Sequence, residues 1–144
     1  MSEDNIDLFV VSGRAFQRFA NVGYDKLSDP ERVFVAIWSL EAEVNNGGFD
    51  QYFFNSAGDL AEHTPAALEA IGASHTAEIV RQANRLFGRG GPSPERNKRQ
   101  KQLESLPATA SNEFDRLDEA FYEYEDDLET MLKAYTRKHK KEFK

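Results

Sequence analysis

The chain has 144 residues, a net charge of −7 and no cysteine, with 40% apolar and 30% charged residues. A chain of this length reads as one domain, residues 1–144, and buries about 68–70% of its unfolded surface, so its core needs neither disulfide nor metal. Without cysteine, thiol catalysis, thiolate zinc sites and disulfide scaffolds are excluded, and a reducing compartment is the natural setting.

The first residues, "MSEDNIDLFVVSGR", are acidic where a signal peptide is basic. No stretch approaches the roughly 18 apolar residues of a membrane span, so a cytoplasmic protein without membrane contact is expected. From Ile6 to Phe19, the residues Leu8, Val11, Phe16 and Phe19 recur among polar neighbours and predict a helix, although the β-branched start leaves a strand open. Ser28-Asp29-Pro30-Glu31 is the best start signal, with a capping serine, a first-turn proline and a glutamate three residues on. Val33, Ile37, Leu40 and Val44, widened by Phe34 and Trp38, give the next helix a core face. Beyond an Asn-Gly interruption, Phe49, Tyr52, Phe53 and Ala57 resume helical spacing, and Gly58 stands where a left-handed C-terminal cap would be.

Thr64-Pro65 restarts a helix that closes near Gly72, and Ser74 can cap another that runs to Gly88. "GRGGPSP", Gly88–Pro94, is the clearest loop, and Ser93-Pro94-Glu95 opens a short basic helix. After Pro107 the longest pattern begins: Phe114, Leu117, Phe121, Tyr124, Leu128, Met131 and Tyr135 alternate spacings of three and four. No convincing strand pattern survives, so the expected fold is an all-α, compact single-domain bundle of about six or seven helices. The unbroken stripe and the 11 phenylalanines exceed what one small core consumes, which predicts a homodimer.

Charge is arranged in blocks. Residues 104–132 carry ten acids and one base, flanked by basic segments at 81–103 and 133–144. Within the acidic block, "EFDRLDEAFYEYEDDLE" (Glu113–Glu129) holds nine acids and one arginine. If its apolar residues turn inward, Asp115, Asp118, Glu119, Glu123, Glu125, Asp126, Asp127 and Glu129 face outward or sideways. That face is either a solvated helix surface, answered by nearby basic residues, or a binding surface.

"EVNNGGFDQYFFN", Glu43–Asn55, interrupts one hydrophobic pattern and starts another at once. Gly47 and Gly48 tolerate the positive φ of a tight interhelical corner, and Asn46 or Gly48 can cap the helix that follows. Phe49, Tyr52 and Phe53 then belong to the core, while Asn45, Asn46, Gln51 and Asn55 can line a polar recess. No catalytic motif has that composition.

"EVNNGGFDQYFFNSAGDL", "PAALEAIGA" and "FDRLDEAFYEYEDDLETMLKAYTRKH" together resemble a bacterial domain-of-unknown-function family that includes the DNA-mimic proteins, over about residues 28–140. The resemblance implies an all-helical, often dimeric protein. It also implies a function in which surface carboxylates imitate the phosphates of duplex DNA and occupy a DNA-binding protein, such as a transcription factor or nucleoid protein. Neighbours on a helix face lie about 5–6 Å apart, a scale comparable with phosphate spacing along DNA. The alternative is an interaction or immunity-type module that binds its partner through the corner and an adjacent groove.

Enzyme signatures are missing from the sequence. His63, His75 and His139 have no metal-ligand spacing, "GRGGPSP" lacks the lysine of a P-loop, and Glu41 and Glu43 fall on different helix faces. No cofactor, metal or catalytic role is therefore expected. Direct nucleic-acid binding is not expected either, since no aromatic interleaves the basic run "RNKRQK" and no base-reading motif accompanies it.

Overall fold

The computed structural model describes residues 5–144, and every regular element among them is helical. Seven α-helices follow in order: α1 (Leu8–Val22), α2 (Asp29–Phe54), α3 (Thr64–Ala70), α4 (Ser74–Arg85), α5 (Arg96–Glu104), α6 (Thr109–Tyr122) and α7 (Leu128–Lys138). Short 3₁₀ turns occupy Tyr24–Lys26, Ser56–Leu60 and Lys140–Phe143. The all-α expectation holds, and the N-terminal segment is helix rather than strand. Asp7 fixes its start, accepting hydrogen bonds from the N–H groups of Phe9 (3.0 Å) and Val10 (3.3 Å).

Helix α2 is the axis of the molecule, with α1, α3, α5, α6 and α7 all packed against it. Its start is the reciprocal cap that the sequence predicts. Glu31 N–H donates to Ser28 Oγ (3.3 Å) and Ser28 N–H donates to Glu31 Oε1 (2.9 Å). Glu31 is itself buried and ion-paired with Arg18 of α1 at 2.9 Å, so the cap also ties two helices together. Phe34, Ile37, Leu40, Val44, Phe49, Tyr52 and Phe53 have no solvent exposure, and Val35 and Ala36 have none either. A helix enclosed on several sides buries more than one stripe, which is why Val33 and Trp38 end half-buried while Val35 is fully covered.

Two elements differ from expectation. The stripe from Phe114 to Tyr135 is not one helix: α6 ends at Tyr122 and α7 begins at Leu128. Tyr124 turns the chain with φ of 48°, the single positive φ outside glycine among the described residues. Spacings of three and four continue through such a turn, so periodicity cannot see it. Of the stripe, Phe114, Leu117, Phe121 and Leu128 are buried in the chain's own core, while Tyr124, Met131 and Tyr135 are half-buried.

Gly58 is the second difference. It is no left-handed cap; it lies within the Ser56–Leu60 turn, where a Cβ would come 2.6 Å from Arg99 Nε and 2.7 Å from the Tyr52 carbonyl oxygen. Arg99 explains both the glycine and the basic run. Fully buried, it donates to the carbonyls of Phe53 (2.6 Å), Asn55 (2.7 Å) and Ser93 (2.9 Å), and pairs with Asp59 at 3.0 Å. Arg96 and Gln100 both donate to the Phe54 carbonyl, at 3.1 and 2.9 Å. Part of "RNKRQK" thus closes the C-terminus of α2, where unpaired carbonyls and the helix dipole favour cations. At the chain's end Phe143 is buried, its ring 5.6 Å from Phe34.

Candidate partner-binding surface around the glycine corner

The interruption at Asn45–Gly48 is a sharp bend inside α2. Gly47 has φ −157° and ψ 17°, and Gly48 has φ 77° and ψ −177°, a conformation open in practice to glycine alone. The bend exposes the N–H groups of a new helical turn that begins at Phe49 and needs an acceptor. Neither Asn46 nor Gly48 supplies it. Asp118 of α6 does, accepting from Phe49 N–H at 2.7 Å. Gly48 must also lack a side chain, because its Cβ would collide with the Asp118 carboxylate. Corner and acidic helix are therefore one structure.

Asp118 is half-buried, and burial raises its pKa. The Phe49 hydrogen bond opposes that shift, and the negative charges of Asp115, Asp50 and Glu119 add to it. On the other side of the bend lies a second group of acids. Tyr124 OH donates to Glu41 Oε2 at 2.8 Å and accepts from Asn45 Nδ2 at 2.7 Å. Burial raises the Glu41 pKa, Tyr124 lowers it, and Glu129 and Asp127 raise it again. Burial also pushes the Tyr124 phenol up to about 12. Tyr122 reaches across from α6, with its OH donating to the Val44 carbonyl at 2.7 Å and half of its ring surface exposed.

The eight acidic candidates divide by role. Asp115, Glu119, Glu123, Glu125, Asp127 and Glu129 are exposed, whereas Asp118 and Asp126 are half-buried. Asp126 accepts from both the N–H (2.7 Å) and the hydroxyl (2.9 Å) of Thr76. It therefore serves α4 as the N-terminal acceptor expected from Ser74. Glu125 pairs with His75 at 2.7 Å, and Asp127 caps α7 through Thr130, whose two hydrogen bonds hold its pKa below the ordinary carboxylate range. The acids do not form one helix face. They span α6, a pinned turn and the start of α7.

The corner residues also divide. Phe49, Tyr52 and Phe53 are core, and Tyr52 OH and Thr64 Oγ1 share a buried hydrogen bond of 2.9 Å. Asn45, Asn46 and Gly47 are exposed. Gln51 and Asn55 turn to the opposite side of α2, where both donate to Glu43 Oε2, at 2.8 and 3.0 Å. The expected single recess is in fact two, one at Glu41 and one at Glu43. Sequence reasoning passed over Glu41 and Asp50 as members of the acidic surface. Asp50 lies inside the quoted corner stretch, but its neighbour Asp118 comes from the distant α6 and leaves no local signal.

Among the described residues, no His, Asp and Glu side chains gather in the groups of three or more that a metal ion requires. His63 lies beside Tyr24, His75 beside Glu125 and His139 beside Tyr135. What the surface can do is present fixed negative charge.

A family model described as DMP19-like protein matches residues 25–139. The chain belongs to this family. The match covers the corner, the acidic segment and all the helices from α2 to α7, close to the span 28–140 over which the sequence resembles DNA-mimic proteins. The DMP19-like family takes its name from a DNA mimic protein. No curated protein and no solved structure is significantly similar to the chain. No helix among the described residues of this DMP19-like chain is long and apolar enough to cross a membrane.

Proposed function

We propose that this chain is a DNA-mimic-type regulator whose acidic surface occupies the DNA-binding site of a protein partner. One observation carries the reading: the exposed carboxylates of the 115–129 region are anchored by their half-buried neighbours. Asp118 is fixed on Phe49 and Asp126 on Thr76, so Asp115, Glu119, Glu123, Glu125 and Glu129 stand on a backbone held at two points. A decoy for a stiff polyanion gains affinity from such preorganisation, since little freedom remains to be lost on binding. The partner is then a basic transcription factor or nucleoid protein met in the cytoplasm. The chain itself acts without cofactor, metal or catalysis. Arg96 and Arg99 are occupied at the α2 C-terminus, which argues against a nucleic-acid-binding role for their helix.

A second reading uses the corner itself as the contact, favoured by the exposed Asn45, Asn46 and Gly47 beside the half-exposed Tyr122 ring. Self-association belongs with either reading, through the exposed Phe9 and Val10 rather than through α6 and α7. Affinity capture separates the two contacts. A chain carrying Glu119→Lys, Glu123→Lys and Glu129→Lys should lose a basic DNA-binding partner that the unaltered chain retains, with its melting temperature unchanged. Full retention of that partner by the variant would give the corner first place.

A further inference from the structure

Beside α2, α1 and the Ser56–Leu60 turn border a cleft of about 400 Å³. Its walls include the half-buried rings of Phe16, Phe19 and Trp38, the exposed methyl of Ala42, and two carboxylates, Glu43 and Asp59. Each carboxylate is oriented from behind. Gln51 and Asn55 both hold Oε2 of Glu43, and Arg99 holds Oδ1 of Asp59 at 3.0 Å. Arg99 answers the charge of Asp59, whereas the amides around Glu43 are neutral, so the cleft carries one negative charge in excess.

We propose that this cleft is an anchor site for a single arginine side chain of the protein partner. A guanidinium has a flat face for the aromatic rings, an apolar stem for the wall and a planar fork of donors for the carboxylates. A lysine ammonium offers the charge without the plane. Desolvated pockets that take an arginine are typical centres of binding energy in protein interfaces. The cleft adjoins the surface proposed above through one shared wall residue. Trp38 lines both it and the neighbouring cleft, which contains Glu41 and Glu129. Only the source of the arginine, a basic DNA-binding partner, rests on the mimic reading. The cleft would add a contact that duplex DNA cannot offer, and so would let the chain choose one partner among many basic proteins.

The chain contains one tryptophan, Trp38, so its fluorescence reports on the cleft directly. The full chain is titrated with a blocked pentapeptide of one arginine flanked by glycines, and in parallel with the same peptide carrying neutral citrulline. The arginine peptide should give a saturable change, with citrulline at least about ten-fold weaker, since only charge and donors differ. Glu43→Gln should weaken the arginine peptide by about ten-fold, because it removes the excess charge but keeps an acceptor for Gln51 and Asn55. Ala42→Leu fills the cleft from an exposed position and should abolish the response. Equal responses to the two peptides, or unaltered binding in both variants, would overturn the proposal. The assay contains no partner protein. Failure of the mimic reading would leave it standing, and failure here would leave the acidic surface untouched.

Discussion

Phe49 N–H donates a 2.7 Å hydrogen bond to Asp118, and this one contact joins the bend of α2 to the acidic helix α6. The bend creates an unpaired donor at the start of a new helical turn, and the acidic helix supplies the acceptor. Replacing Asp118 with alanine removes that acceptor and leaves the N–H of a buried residue unpaired. A loss of roughly 1–3 kcal/mol is expected in denaturant unfolding, with Asp118→Asn close to wild type because its amide oxygen can still accept.

Gly48 stands at φ 77° with the Asp118 carboxylate where its Cβ would be. Valine there meets both backbone strain and a collision, so Gly48→Val should destabilise by about 1–3 kcal/mol or more. A melting curve that superimposes on wild type would contradict the corner geometry. Substitution of the neighbouring Asn46, exposed and outside the strained region, should be far milder.

Tyr124 occupies the left-handed region at φ 48°, held by its hydroxyl between Glu41 and Asn45. Tyr124→Phe should cost roughly 1 kcal/mol, because the half-buried Glu41 loses its donor.

The same site gives a pH signature. The folded pKa values of Glu41 and Asp118 lie above their ordinary values, so in the window between ordinary and folded values the native state binds more protons than the unfolded state. Their contribution to stability therefore falls as pH rises through that window and recovers on acidification. In thermal melts, wild type should gain on Glu41→Gln as pH is lowered from neutral toward the ordinary carboxylate value. A constant difference would contradict this. Asp127, with its lowered pKa, acts in the opposite sense: its contribution is present above the ordinary carboxylate value and is lost as pH falls through the depressed one.

Much of the fold was legible from local chemistry. The Ser28 cap, the glycine corner and the helical stripes each lie within a few residues of what they determine. The misses share a cause. Tyr124 turns the chain without glycine or proline, so periodicity ran through it. Arg99 and Gly58 are matched across 41 positions of sequence, and neither residue hints at the other. In the acidic segment, composition located the carboxylates but could not distinguish the exposed Glu119 and Glu123 from Asp118 and Asp126, whose acceptor roles depend on Phe49 and Thr76. Long-range hydrogen bonds leave no local pattern in sequence.

Competition with DNA tests the central claim most directly. The captured DNA-binding partner is held at fixed concentration with the labelled chain, and duplex DNA carrying the partner's own site is titrated in. A decoy and its model share one site, so DNA should displace the chain completely, and the chain's affinity should fall steeply as salt rises through the range where exposed charges are screened. A ternary complex of chain, partner and DNA that persists at saturating DNA would contradict the account.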